Sequence, residues 1–210
     1  MLDAANQERN LEVKLAALSY RGYWTSGGRP SQPGIEQDAQ AFVEWAAETF
    51  PSHELVLWGQ SIGAGIAANA IAAQSTKYSG RATPIRPAAL ILETPFVSIR
   101  RMLAALYPEK WVPYKYLWPF LRNWWDTEEA LRDIAKVKDT VPHTILLLSA
   151  KQDEVVPAEE VDYLEILCKR LDLRYQRQDV AGALHNDASS KNAGRKAIAD
   201  FMKSIETDSF

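Results

Sequence analysis

The most constraining stretch of this sequence is Leu55-Val56-Leu57-Trp58 followed at once by Gly59-Gln60-Ser61-Ile62-Gly63. A short apolar run rich in Val and Leu reads as a buried strand. Residues 61–74, rich in Ala and nearly apolar all round, read as a buried helix. Between them the chain must reverse within a few residues, so that a strand feeds directly into a helix. The pattern G-x-S-x-G alone arises by chance in roughly 5–7% of chains of this length at ordinary Gly and Ser usage. The strand before it and the helix after it make it informative. In that setting the serine sits at a strained backbone position, and side chains at the flanking glycine sites are expected to clash between helix and strand. The helix N-terminus then favours negative charge developing beside Ser61. A plain glycine-rich strand-to-helix turn is the alternative reading.

The rest of the chain extends the same alternation. Residues 15–20, 89–92 and 144–149 read as further apolar strands, and residues 173–180 as a more amphipathic one. Residues 34–50 carry Ile35, Ala39, Phe42, Val43, Ala46 and Ala47 at helical spacing, with Pro51 as a stop. Residues 158–171 and 192–205 are two further amphipathic helices. The order predicts an α/β fold, a mostly parallel sheet flanked by helices on both faces, in a single domain over residues 1–210. Residues 75–87 read as a polar surface loop. Residues 95–126 read as a long aromatic, cap-like loop broken by Pro108, Pro113 and Pro119.

A serine at its free pKa is a poor nucleophile and needs a base. Functional groups in parallel sheets gather at the carboxyl ends of the strands. His53 and His143 both precede strands and so fall at the wrong end. His185, in Gly182-Ala183-Leu184-His185-Asn186-Asp187, follows one. A base of this kind needs an acid to fix its tautomer. Asp153 follows the strand at 144–149. Glu154 and Asp187 are alternative acids, and helix capping is an alternative role for Asp153. The chain order Ser61, Asp153, His185 is that of the α/β-hydrolases.

Composition narrows the classes further. The chain of 210 residues is 47% hydrophobic and 24% charged, ordinary globular proportions that exclude collagen-like and disordered readings. Its 24 basic and 27 acidic residues give a formal charge of −3, with no electrostatic footprint for nucleic acid. The one cysteine, Cys168, forms no internal disulfide, and no Cys/His cluster predicts a metal site. No secretory signal or membrane-spanning run is read in this chain, which leaves a cytoplasmic or membrane-associated location open. Four of seven tryptophans (Trp111, Trp118, Trp124 and Trp125) crowd the segment from 111 to 125, interleaved with Lys115 and Arg122. Packing over the sheet, a pocket wall, or peripheral membrane contact through Trp111 and Trp118 are its readings.

Several words, in order, resemble the α/β-hydrolase superfamily, in its fungal bud-emergence (BEM) branch and the related animal α/β-hydrolase-domain proteins. They are Ser19-Tyr20-Arg21-Gly22-Tyr23 with Ser26-Gly27, Gly34-Ile35-Glu36-Gln37-Asp38-Ala39-Gln40-Ala41, residues 59–65, Leu92-Glu93-Thr94-Pro95-Phe96, Trp125-Asp126, Asp153 with Val155-Val156-Pro157, and His185-Asn186-Asp187. The resemblance implies Ser61 as nucleophile, Asp153 as acid, His185 as base and the Ile62 backbone N–H as an oxyanion donor. It implies a serine hydrolase of the esterase or thioesterase type, cleaving a small-molecule or protein-bound acyl group through an acyl-enzyme. Such chemistry needs no cofactor or metal. Trp24 departs from the family, which usually has glycine there. The chain is also expected to be N-terminally truncated, entering about where the fourth strand of an eight-stranded sheet should be. Residues 15–20 must then pair with residues 55–58 or stay unpaired. The family's membrane-anchoring helix and its His-Gly loop, source of a second oxyanion donor, have no counterpart here. The alternative reading is therefore a catalytically impaired remnant, since losing an oxyanion donor costs on the order of 100- to 1000-fold in turnover.

Overall fold

Among the described residues, three of the apolar runs and the amphipathic run at 173–180 become four parallel strands, and the helices between them cover both faces. A computed structural model of the chain describes residues 13–77, 87–106, 124–137 and 144–208. The elements are α1 (Gln32–Thr49), β1 (Val56–Gln60), α2 (Ile62–Lys77), β2 (Ala89–Glu93), α3 (Ile99–Leu106), α4 (Thr127–Ala135), β3 (Thr144–Ala150), α5 (Ala158–Arg170), β4 (Arg174–Val180) and α6 (Asn192–Asp208). The sheet order is β1-β2-β3-β4. Val56 pairs with Ala89, Ala89 with Thr144, and Thr144 with Arg174, so the four strands start level and their carboxyl ends meet along one rim.

Strand side chains alternate between faces. Leu90, Leu92, Ile145 and Leu147 join α2, α4 and α5 in one core, with Ala64, Ala68, Ile71, Leu131, Ile134 and Leu164. Ala89, Ile91 and Leu146 point the other way, against Phe201 and Ile205 of α6. A further cluster packs Ile35, Ala39 and Val43 of α1 against Ile66 and Ala70 of α2, and gathers in Phe96, Trp125 and Val156. The small residues of α2 let it lie close between the sheet and α1.

The apolar run at residues 15–20 is not a strand. It is irregular chain, with Leu15 84% exposed, while Leu18 and Tyr20 pack half-buried against the cluster that α1 and α2 form. Its backbone stays within reach of water, which removes the penalty that buried unpaired groups would carry. A local loop competes with sheet pairing here. Gly22 N–H donates to the Gly27 carbonyl, Tyr23 N–H to the Tyr20 carbonyl, and the Ser26 hydroxyl to the Ser19 carbonyl. Arg21 then forks Asp38 of α1 at 2.7 and 2.9 Å. The loop expected at residues 75–87 starts later, because α2 runs to Lys77. Within the stretch expected as an aromatic loop, residues 99–106 form a helix. Trp111, Trp118 and His143 lie outside the described residues.

Candidate active site

Ser61 occupies the joint between β1 and α2 with φ of 53°, a left-handed conformation that non-glycine residues rarely adopt. Two backbone bonds hold it there. Its N–H donates to the Glu93 carbonyl of β2 at 2.9 Å, and its carbonyl accepts the Ala64 N–H at 3.0 Å. A Cβ on Gly59 would lie 1.9 Å from the Gly63 carbonyl oxygen and 2.6 Å from the Ala64 nitrogen. Backbone meets backbone at this point, so only glycine fits. Gly63 differs from expectation: nothing lies within 4 Å of where its Cβ would stand. The second motif glycine is therefore not required by a clash. Gly65 is the tighter neighbour, its virtual Cβ 3.4 Å from Trp125 Cβ. Ile62 opens α2, and an N–H in a first helical turn has no intrahelical acceptor.

His185 lies on the loop after β4 and Asp153 on the loop after β3. His185 Nδ1 stands 3.0 Å from Asp153 Oδ1 and 2.9 Å from Oδ2. His185 is only 5% exposed. Asp153 Oδ1 also accepts the N–H groups of Val155 and Val156 at 2.9 and 2.8 Å, which fixes the carboxylate before the ring meets it. The other two acids do different work. Glu154 Oε2 accepts the His185 backbone N–H at 2.9 Å. Asp187 accepts the Leu184 N–H and pairs with Lys191 at 2.9 Å, and both bonds hold its carboxyl below the usual carboxylate range. Asp153 caps no helix; Pro157 is the N-cap of α5. His53 is exposed at the opposite end of the sheet, edge-on to Phe50.

Ser61 and His185 are brought to the same rim by a bond between their neighbourhoods. Gln60 Nε2 donates to the His185 carbonyl at 3.4 Å. Among the described residues the Ser61 hydroxyl has no hydrogen-bond partner.

Two buried groups beside the site were not singled out for a role by sequence reasoning. Glu93, at the end of β2, is 2% exposed; it accepts Trp58 Nε1–H at 3.0 Å and Ser189 N–H at 2.8 Å. It ties the segment after His185 to β1 and β2. Thr94, next in sequence, is left-handed with φ of 42°, and its N–H donates to the Leu148 carbonyl. A charge ending a wholly apolar run was the available signal for Glu93.

Comparison with known proteins agrees with the fold. No family model matches the chain. Over 194 residues the chain is 29% identical to protein bem46 of Schizosaccharomyces pombe, covering 91% of this chain and 58% of that protein. It is 35% identical over 153 residues to the lysophosphatidylserine lipase ABHD12 of Danio rerio, covering 70% of this chain and 37% of that one. The chain thus spans only part of the length of these relatives. Among solved structures, the esterase PF2001 of Pyrococcus furiosus superposes with a TM-score of 0.58 at 18% identity, over 88% of this chain and 67% of that one. A parallel sheet whose rim carries a left-handed serine and an Asp–His pair, together with these relatives, places the chain in the α/β-hydrolase superfamily, on the branch that includes bem46.

Proposed function

We propose that this chain carries the catalytic machinery of a serine hydrolase acting on carboxylic esters or thioesters. The observation that carries the reading is the His185 Nδ1–Asp153 contact at the strand rim that also holds Ser61 in a left-handed elbow. His185 Nε2 takes the Ser61 proton as Oγ attacks the substrate carbonyl carbon. Negative charge builds on the carbonyl oxygen, where the Ile62 N–H and the α2 N-terminus stabilise it. Collapse of the tetrahedral intermediate breaks the bond to the alcohol or thiol, which leaves with the proton from His185. Water, deprotonated by His185, then releases the acid and restores Ser61. Asp153 holds the ring in the correct tautomer and offsets the imidazolium charge. The lipase name of one relative and the esterase title of a structural neighbour support a lipid-like or small ester, with protein-bound acyl groups as a further substrate.

Labelling with a fluorophosphonate probe tests this reading. The purified chain is expected to label, and Ser61→Ala to abolish labelling with an unchanged circular dichroism spectrum. No labelling of a folded chain would favour an impaired copy of the enzyme. The segment bearing Trp111 and Trp118 supports a second expectation, co-sedimentation with anionic liposomes weakened by Trp111→Ala with Trp118→Ala. No sedimentation would remove the membrane role.

A further inference from the structure

We infer that Glu154 is a positioning residue that fixes the backbone under His185. The inference rests on His185 being the catalytic base. A ring held only through Nδ1 can still swing with its loop, and this loop has reason to move. It follows β4, the last strand, and turns through Gly182 at φ of 73°. What restrains it is the loop after β3. Lys151 N–H donates to the Val180 carbonyl at 3.0 Å, Gln152 N–H to the Ala183 carbonyl at 3.0 Å, and Gly182 N–H to Gln152 Oε1 at 2.6 Å. The series ends on His185 itself, where adjacent carboxylates take its two N–H groups: Asp153 the ring and Glu154 the main chain. Acid loop and base loop therefore move as one piece, and the Gln60 amide joins that piece to the elbow.

The Glu154 bond is the last tether before the ring. A buried backbone N–H needs an acceptor, and an ionised acceptor makes a stronger bond than a neutral one. Glu154 is itself exposed, so its charge is screened by water and its effect on His185 is geometric. Small misplacement of a base costs up to about 100-fold in rate. Glu154→Gln keeps a side-chain oxygen in place to accept the bond, whereas Glu154→Ala keeps none.

Two readouts on the purified chain test this. One is the low-field proton NMR resonance of the His185 Nδ1–H shared with Asp153, assigned by its loss in His185→Ala. The other is steady-state hydrolysis of a short-chain p-nitrophenyl ester, with Ser61→Ala as the blank. Glu154→Ala is expected to broaden the resonance beyond detection and to lower kcat about 10-fold, with KM within twofold and the folded circular dichroism retained. Glu154→Gln is expected to restore both. A sharp resonance in Glu154→Ala overturns the proposal, as does a fall in KM affinity with kcat unchanged, or failure of Glu154→Gln to rescue. A wild-type protein that shows the resonance without Ser61-dependent turnover would sink the hydrolase reading, while the resonance alone still decides what Glu154 does. No resonance in wild type overturns the positioning role, because the ring is then not fixed.

Discussion

At the scale of single residues, the elbow rests on one glycine more than on the other. The Cβ of Gly59→Ala would sit 1.9 Å from a main-chain oxygen that belongs to the first turn of α2, and neither strand nor helix can give way. Gly63→Ala meets open space and replaces a poor helix former by the best one. Gly63→Ala is expected to raise stability by up to about 1 kcal/mol, and Gly59→Ala to lower the urea midpoint severely or prevent folding. Equal effects of the two would contradict the geometry. Trp24 offers the opposite test. It is left-handed with φ of 47° and 93% exposed, so its side chain makes no packing contact to set against the backbone cost. Left-handed geometry costs an L-residue about 1–2 kcal/mol, of which glycine's freedom in the unfolded chain returns part. Trp24→Gly is expected to stabilise by about 0.5–1 kcal/mol and to raise Tm by about 2–3 °C. A lower Tm would mean that Trp24 packs on something in solution.

Between elements, two polar joints hold segments that hydrophobic packing alone leaves loose. Glu160, in the first turn of α5 and 3% exposed, accepts the Val97 N–H at 2.8 Å and Arg101 Nε at 3.0 Å. The Arg101 guanidinium lies 4.4 Å from the Tyr163 ring centre. Glu160→Ala leaves a buried N–H without an acceptor and is expected to cost about 1–3 kcal/mol, read from urea unfolding with unchanged m. The second joint is Arg21–Asp38, which anchors the loop before α1. The hydrogen bonds from Arg21 hold the Asp38 carboxyl below its ordinary value. A carboxyl with a lowered folded pKa stabilises above its unfolded pKa of about 3.9, and that stability is lost as pH falls through the folded value. Wild type is therefore expected to exceed Asp38→Asn in stability at pH 7, with the gap narrowing as pH falls below the unfolded carboxyl's value of about 3.9. A gap independent of pH would mean that the bond works through shape alone. These joints also explain what was legible in the sequence. The runs at 89–92 and 144–149 were readable because burial on both faces demands apolar side chains throughout, and the run at 55–58 shares their texture although β1 is only partly buried. Residues 15–20 have the same texture and no strand, because Ser19, Ser26 and Asp38 offer the backbone and Arg21 local partners that a hydropathy pattern does not register. In the same way, position after a strand pointed to Asp153 and His185, but nothing in the spacing told Glu154's main-chain bond from Asp153's ring contact.

For the molecule as a whole, the site is divided between the rigid middle of the sheet and its margins. β2 is buried along its whole length, and β3 at every position but its first. β1 and β4 are the outer strands among the described residues, and both are partly exposed. Their chemistry differs. β4 carries Arg174, Arg177 and Asp179, with Arg177 bridging Asp162, Glu165 and Asp179, and such charges blunt an edge. β1 carries no charge, and Trp58 on it is 43% exposed. Asp153 thus follows a central strand, while Ser61 and His185 follow the two outer ones, held inward by Glu93, Gln60 and the loop after β3. Amide hydrogens on central strands exchange only through global unfolding, whereas those on outer strands escape through smaller openings. Hydrogen exchange is therefore expected to be slowest in β2 and β3, with their rates tracking the global unfolding free energy across a urea series. β1 is expected to exchange faster than β2, at rates less sensitive to urea. Exchange in β1 as slow as in β2 would mean that its open side is covered in solution by another segment or another molecule, and Ser61 would then belong to the rigid middle of the sheet.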